Sequence, residues 1–587
     1  MLKPAPAPVP APVILPAPAP APAPAPVPAP SPAPAPAPAP APVPVPVPAP
    51  APAAPTASSS FGLSQDINFY TIDTGAGLVF KIRRNDTGAS TQSAGDIASM
   101  VYKGVQYQDA SRGSQLNSGF DFLYKGISAV SVSAANVDAD HIKVTVKSAG
   151  LTHYYLARRG DADIYMATIF DVEPDTLNLA RFIVRIPVAV LPNGNTAGDL
   201  RATVKTIESG DIFAQANGET RSKHYANMRL KDWRYFGATG TGVGMWMVRD
   251  NNEGNSGGPF YRSLLNQVTS TNQELTYIIN YGEAQTEAYR TNILNAYTLV
   301  FNGGGAPAAL DTSWFADMGL TGYTAPSARG RVTGSVASGR VSGVDYTIGF
   351  SNTTAQYWST VRADGEFDSS GMLPGTYTAK LYKNELAVDT RSVVVTAGKT
   401  SAMAAIAVSG DPASTAPVWR IGAWDGSPAE LLNGSKVTSM HPSDVRISAW
   451  TTAPFVIGTS SPATGFPAYQ WKDVNGSLVV KFRLTQADIA PSTIRIGITT
   501  AFGGGRPKVQ VNNWYAANQS ASTQPTSRTL TVGTYRGNNT RYSFSVPASA
   551  LVVGDNTLYL SVISGSGGTG YLSPGYAFDA LDMVKNP

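Results

Sequence analysis

From about residue 58 onward, apolar and polar positions alternate in short runs with a period of two. "HIKVTVKSAG", "TYTAKLYKNELAV" and "NTLYLSVISG" are the clearest cases. A strand sends successive side chains to opposite faces, so this period predicts half-buried β-strands. Val, Ile, Thr and Tyr fill the runs, and Gly, Asn and Asp break them, which is the composition of strands and turns. No stretch keeps a helical period over more than ten residues. Strands joined by turns for several hundred residues predict an all-β chain of β-sandwiches in series and exclude a single parallel α/β domain.

The pattern changes at three places. Residues 1–57 are almost wholly Pro, Ala and Val, with Lys3 as the only charge. Proline removes backbone donors there, so neither a helix nor a sheet ladder can form, and polyproline II is expected. Fully extended, the run would span roughly 160 Å as a stiff spacer or tether. A ligand for a proline-binding module is the other reading. Residues 58–319 form a large β domain. At "GYTAPSARGRVTGSV" small residues introduce a compact unit, 320–410, whose Asp364-Gly365 and Pro374-Gly375 supply turn chemistry between strands. Beyond "VSGDPASTAP" a Trp-rich β domain fills 411–587.

Composition narrows the function classes. The 587 residues carry a formal net charge of +4, with no basic stripe interleaved with aromatics, so nucleic acid is not an expected partner. No apolar run approaches the roughly 18 residues of a membrane-spanning helix. The start "MLK" leads into prolines and not into an apolar segment, so no signal peptide is visible. The absence of cysteine excludes disulfides and thiolate chemistry. It fits a reducing compartment or a bacterial exported protein that folds without staples.

Two motifs invite chemistry that the rest of the chain does not support. "GNSGGPF" resembles the loop that presents the nucleophile of a serine protease, at Ser256. Such a serine needs a histidine base and an acid to orient it. The four histidines are 141, 153, 224 and 441, and His141 and His153 lie in strand-like runs. The glycines of "GATGTGVG" are not followed by a strand-to-helix unit, so turn and strand-edge roles are expected in place of dinucleotide binding.

Several longer segments fall into one order: "THYYLARRGDADIYMATIFDVEPDTLNLARFIVRI", "GETRSKHYANMRLKDW", "GTGVGMWMVRDNNEGNSGGPFYRSLLNQ" and "YGEAQTEAYR". In that order and at those separations the chain resembles the rhamnogalacturonan lyases of polysaccharide lyase family 4. "VWRIGAWDGSPAELLNG", "MHPSDVRISAW" and "GRPKVQVNN" resemble that family's C-terminal carbohydrate-binding-like module. The resemblance covers about residues 60–587. It implies a supersandwich-like catalytic β domain, a fibronectin-type-III-like sandwich and a jelly roll. It also absorbs Ser256 into a family segment running from Gly242 to Phe260.

The implied reaction is β-elimination between rhamnose and galacturonate. The proton on C5 of the uronate is removed and the oxygen on C4 is expelled. Charge moving onto the carboxylate must be stabilised, a base must take the proton and an acid must protonate the leaving oxygen. The family's base is the lysine of "TRSK", which is Lys223 here. A lysine serves as a base only when partly deprotonated, which desolvation or the neighbouring cation of Arg221 could bring about. If the segment is a strand, His224 alternates to the opposite face. Arg181, in "LARFIVRI" where the family has "ELRFI", is the candidate for the uronate carboxylate or else a structural ion-pair residue. Arg112 is a second carboxylate candidate or a loop residue.

The departure from the family is at "YGEAQTE", where its members read Ser-Gly-His before the "QTE" and this chain has Glu283. Protonated, Glu283 could act as the acid. Ionised, it would repel the substrate unless paired with a cation. Tyr225 and Tyr281 are further proton donors or else stacking or packing tyrosines, and Trp424, Trp471 and Trp514 are candidate sugar platforms or else core residues, since tryptophan is largely buried on average. Asp138 with Asp140 and Asp161 with Asp163 alternate as calcium ligands can, without continuing into a calcium loop. No cofactor is expected, with calcium left open for want of a clear motif. The expected protein is a monomeric, secreted or cell-envelope lyase acting on an acidic polysaccharide. A lyase for another uronate polymer and a non-catalytic glycan binder on a stalk stay open as alternatives.

Overall fold

The period-two runs form antiparallel strands. In the computed structural model the described residues are 60–586, apart from 89–90, 125–128, 175–178, 227 and 281–285. "HIKVTVKSAG" supplies the strand His141–Ser148, whose alternate residues Ile142, Val144 and Val146 are buried. Gly375–Lys383 pairs antiparallel with Leu386–Val395, and Gly554–Ile563 also alternates between buried and exposed positions. Among the described residues the one α-helix is the four-residue turn Pro462–Gly465.

The first group of strands is centred on a seven-stranded sheet. Its order is Tyr235–Gly240, Val243–Arg249, Leu294–Asn302, Asp163–Phe170, Leu151–Arg158, His141–Ser148 and Ser131–Asn136. Its central strands are buried on both faces. Tyr155 and Met166 enter the main core with Phe182 and Tyr277, while Tyr154 and Tyr165 face Trp314 and Phe315 on the other side. Such two-sided burial explains why "DIYMATIF" reads as a continuous apolar run and not as an alternating one. A four-stranded sheet, Leu264–Val268, Asn272–Asn280, Ala180–Pro187 and Gln115–Leu116, carries Phe182 and Tyr277 into that core.

The second group is a small sandwich of Arg331–Ser338 with Glu366–Asp368, Thr400–Ala402 and Ile406–Ala407, facing Gln356–Thr360, Tyr346–Ser351, Gly375–Lys383 and Leu386–Val395. Gly365 turns the chain at φ 93°, the left-handed region that glycine enters without steric cost. In the third group, Trp419–Gly422, Gly575–Lys585, Ser492–Phe502 and Thr540–Val546 form one sheet. Phe455–Val456, Ser477–Leu484, Gly554–Ile563, Arg506–Val511 and Trp514–Tyr515 form the other. A core that includes Tyr469, Phe482, Phe544 and Phe578 lies between them.

Polar side chains join the groups. Glu253 of the first accepts hydrogen bonds from Arg329 and from Tyr357 of the second, the latter at 2.8 Å. Glu385 of the second, 2% exposed, accepts from Arg229 of the first at 3.0 Å and from Tyr535 of the third at 2.8 Å. A cavity of about 510 Å³ opens at this triple junction, lined in part by Arg229, Arg262, Asp425 and Tyr535.

Candidate active site

A three-stranded sheet presents the candidate base. Its strands are Thr203–Glu208, Ile212–Gln215 and Thr220–Ser222. Between the first two, Ser209 and Gly210 take positive φ values of 52° and 66°, and the Asp211 N–H donates to the Glu208 carbonyl at 3.0 Å. This turn brings two carboxylates close together. The last pair of the next ladder is Ile212 with Ser222, so Asp211 and Lys223 are the residues just beyond it on the two chains. The register thereby seats Lys223 Nζ 2.8 Å from Asp211 Oδ1.

The third group of strands completes the cluster. Arg528 reaches Asp211 Oδ2 at 3.2 Å and Glu208 Oε1 at 2.6 Å, so one guanidinium bridges both carboxylates of the turn. Glu208 is buried and also accepts from Thr531 Oγ1 at 3.2 Å. His441 Nε2 lies 3.4 Å from Glu208 Oε2. The Ser443 N–H donates to His441 Nδ1 at 3.1 Å, which leaves the proton of a neutral ring on Nε2, facing Glu208. Burial pulls the Asp211 carboxyl upward. The hydrogen bond and charge of Lys223, with Arg528, outweigh it and hold Asp211 below the usual carboxylate range.

His224, the next residue of the 3-10 turn Lys223–Ala226, is buried. Burial pushes its pKa down to about 3, the charge of Lys223 adds to the depression, and Arg528 and Arg181 act in the same direction. The ring is therefore neutral at neutral pH. The same effect places Arg181 in the electrostatic neighbourhood of His224. Lys223, Arg528, Asp211 and Glu208 form one chain of charge pairs. Arg181 is half-buried at a bulge of the strand Ala180–Pro187, where its backbone N–H donates to Asn117 Oδ1 at 3.0 Å.

Other sequence-derived candidates have different roles. Lys223–Ala226 is a 3-10 turn and not a strand, so the alternation expected to send His224 to the far face does not apply. Tyr225 is 4% exposed and donates to the Thr531 carbonyl at 2.7 Å, which makes it a clasp between the first and third groups, not a sugar contact. Arg221 donates to Glu219 Oε2 at 2.8 Å and to the Thr220 carbonyl at 2.9 Å, so its charge is spent on that pair. Arg112 pairs with Glu274 at 2.9 Å. Glu283 and Tyr281 lie outside the described residues.

Trp424 and Trp471 are 2% and 1% exposed, with their indole N–H groups donated to Asp582 and to the Tyr571 carbonyl. They are core residues and not platforms. Trp514 is half-buried. Ser256 is buried, donating to the Ala288 carbonyl at 3.1 Å and accepting from Arg290 at 3.2 Å, a structural clasp. Asp140 and Asp161 pair with Arg159 and Arg158 at 2.7 Å each, and Asp138 with His141 at 2.9 Å. Burial raises Asp163 to about 7. Among the described residues no three His, Asp or Glu side chains are arranged to hold a metal ion.

Sequence reasoning missed Asp211, Glu208, Arg528 and His441. "ESGD" carried a turn signal that could have drawn attention to its two flanking acids. Arg528 lies 305 residues beyond Lys223 and no local pattern marks it.

Three family profiles match the chain in order. Rhamnogalacturonan lyase B, N-terminal, matches residues 61–322, polysaccharide lyase family 4, domain II, matches 328–403, and polysaccharide lyase family 4, domain III, matches 417–583. Rhamnogalacturonate lyase A of Emericella nidulans is 38% identical over 535 residues, covering 91% of this chain and 97% of its own length. Rhamnogalacturonate lyase A of Aspergillus aculeatus is 37% identical, covering 91% and 98%. A probable rhamnogalacturonate lyase A of Aspergillus terreus is 38% identical, covering 91% and 97%. These relatives are fungal, and the bacterial source expected from the lack of cysteine finds no support in them.

Proposed function

The chain belongs to polysaccharide lyase family 4, and we propose that it cleaves the rhamnose–galacturonate bond of rhamnogalacturonan by β-elimination at the Lys223 cluster. The observation that carries this reading is the setting of Lys223. Its amine is shared with a carboxylate that Arg528 also claims, beside a neutral buried histidine and the cation of Arg181.

Each step has a residue suited to it. Arg181 takes the uronate carboxylate, where a guanidinium can meet both oxygens and hold the charge that develops as C5 loses its proton. Lys223 takes that proton. Arg528 weakens the hold of Asp211 on the lysine by drawing the same carboxylate toward itself. The proton for the leaving oxygen is assigned to Glu283, which stands where the resemblance has a histidine. We also read the chain as secreted or held at the cell envelope, as a monomer, with the divisions near residues 320 and 410 as its domain boundaries. Membership along nearly the whole chain does not favour a non-catalytic glycan binder.

Incubating the protein with rhamnogalacturonan and with homogalacturonan tests the substrate. Ultraviolet absorbance from an unsaturated uronate should rise with the first polymer only. A rise with homogalacturonan alone would reassign the substrate, and no rise with either would remove the reaction.

A further inference from the structure

The strand Thr220–Ser222 stands at the edge of its three-stranded sheet, so it has a ladder partner, Ile212–Gln215, on one side only. Lys223 follows it directly. An edge strand presents unpaired N–H groups, and so short a strand is held weakly by one ladder alone. Its place therefore depends on what meets its open edge. That edge is met by a loop of the third group, residues 441–446, "HPSDVR".

Asp444 is the centre of the contact. It is 2% exposed, and its Oδ2 accepts both the Thr220 N–H at 2.6 Å and the Thr220 Oγ–H at 2.7 Å. The Thr220 hydroxyl, itself buried, accepts the His441 N–H at 2.9 Å. Two residues before Thr220, the Gly218 carbonyl accepts the Val445 N–H at 3.3 Å. A Cβ at Gly218 would lie 2.2 Å from Val445 Cγ1 and block this approach. Asp444 is in turn fixed by Arg446, which donates to Oδ1 at 2.8 Å and to Oδ2 at 2.7 Å, a guanidinium fork on a carboxylate. Burial pulls the Asp444 pKa upward. The hydrogen bonds of Arg446 and Thr220 outweigh it, so the carboxylate stays ionised at neutral pH and its bonds to Thr220 are charge-assisted.

The third group thus grips both sides of the Lys223–Asp211 pair. Arg528 holds Asp211 at 3.2 Å, and Asp444 holds the strand that ends in Lys223. We infer that Asp444 is a positioning residue for the elimination: through Thr220 it fixes the strand from which Lys223 follows, and so the place of the amine against the uronate. The inference rests on the proposed role of Lys223 as base. Asp444 acts without touching substrate, and the arginine assigned to the uronate carboxylate stands on another strand, Ala180–Pro187. Loosening Thr220 therefore costs rate and leaves binding alone.

The test uses the full chain with rhamnogalacturonan, reading kcat and KM from the appearance of unsaturated uronate. Thr220→Val keeps the buried shape and deletes the hydroxyl. Its kcat should fall by about tenfold or more with KM little changed, because a displacement of about 1 Å at a reacting group costs up to about 100-fold. Thr220→Ser keeps the hydroxyl and should stay near the parent kcat, and Asp444→Asn should fall as Thr220→Val does. Tyr535→Phe is the control for stability. It breaks another contact of the third group, to Glu385 at 2.8 Å, and should lower the melting temperature while kcat stays at the parent value. A kcat that follows melting temperature alike in Tyr535→Phe and Thr220→Val would overturn the positioning role, as would a change in KM alone. Thr220→Val at the parent kcat, beside a Lys223→Ala variant without turnover, would overturn it and leave the base in place. Lys223→Ala at the parent kcat would overturn the base, and the positioning role with it.

Discussion

Arg528 is the residue through which the third group of strands shapes the catalytic cluster, and its removal has a size that can be worked out. Its guanidinium lies 2.6 Å from Glu208 and 3.2 Å from Asp211, with a side-chain exposure of 26% against 6% for Glu208. At an effective dielectric of about 20, unit charges about 3 Å apart attract by roughly 5 kcal/mol, and the cost of desolvating both offsets much of this. Truncating one partner leaves the other buried without its counter-charge, which typically costs about 3–5 kcal/mol. Glu208 keeps Thr531 and His441, so Arg528→Ala should fall near the low end, at about 2–3 kcal/mol. Urea unfolding of the parent, Arg528→Ala, Glu208→Gln and the double variant gives the coupling directly, expected at about 1.5–2 kcal/mol. Turnover should fall as well, because Asp211 would then hold Lys223 alone. Additive losses, with a coupling under about 0.5 kcal/mol, would refute the bridge.

Further outcomes follow from other groups. Tyr225→Phe should destabilise by about 1 kcal/mol in thermal unfolding, since it leaves the buried Thr531 carbonyl without its donor, while KM stays unchanged. Burial raises the pKa of Asp250 to about 7, against 3.8 unfolded, so the native state holds an extra proton between those values. Its contribution is complete below about 3.8 and is lost as pH rises through about 7. Asp250→Asn should therefore gain melting temperature relative to the parent by more at pH 8 than at pH 4. Glu283→Gln should lower kcat by about 100-fold if Glu283 is the acid, with Glu283→His retaining much of the parent rate.

The strands were legible because one face of most of them meets solvent, and that asymmetry writes itself as period two in "HIKVTVKSAG". It failed where both faces are buried, as in Asp163–Phe170, whose sequence carries length and composition but no alternation. Lys223 and Arg181 were legible only through resemblance, since a lone lysine or arginine in a short motif carries no chemistry by itself. The face expected for His224 held only if the strand continued, and the strand ends at Ser222, two residues earlier, where the chain passes into a 3-10 turn. For Tyr225, Trp424 and Trp471 the sequence left packing and sugar contact both open, because a large polar aromatic has the same letter whether it packs or stacks, and the structure resolves all three as packing. Arg528 was invisible because its partners lie over 300 residues away, on a surface that exists only once the third group of strands docks on the first.

The central claim is that Lys223 removes the C5 proton of the uronate. Its most direct test is the rate at which absorbance from the unsaturated uronate appears at saturating rhamnogalacturonan, for the parent and for Lys223→Ala. The account predicts a fall of at least about 100-fold in kcat with KM little changed, the loss expected when a general base is removed. A variant that keeps the parent kcat would contradict it.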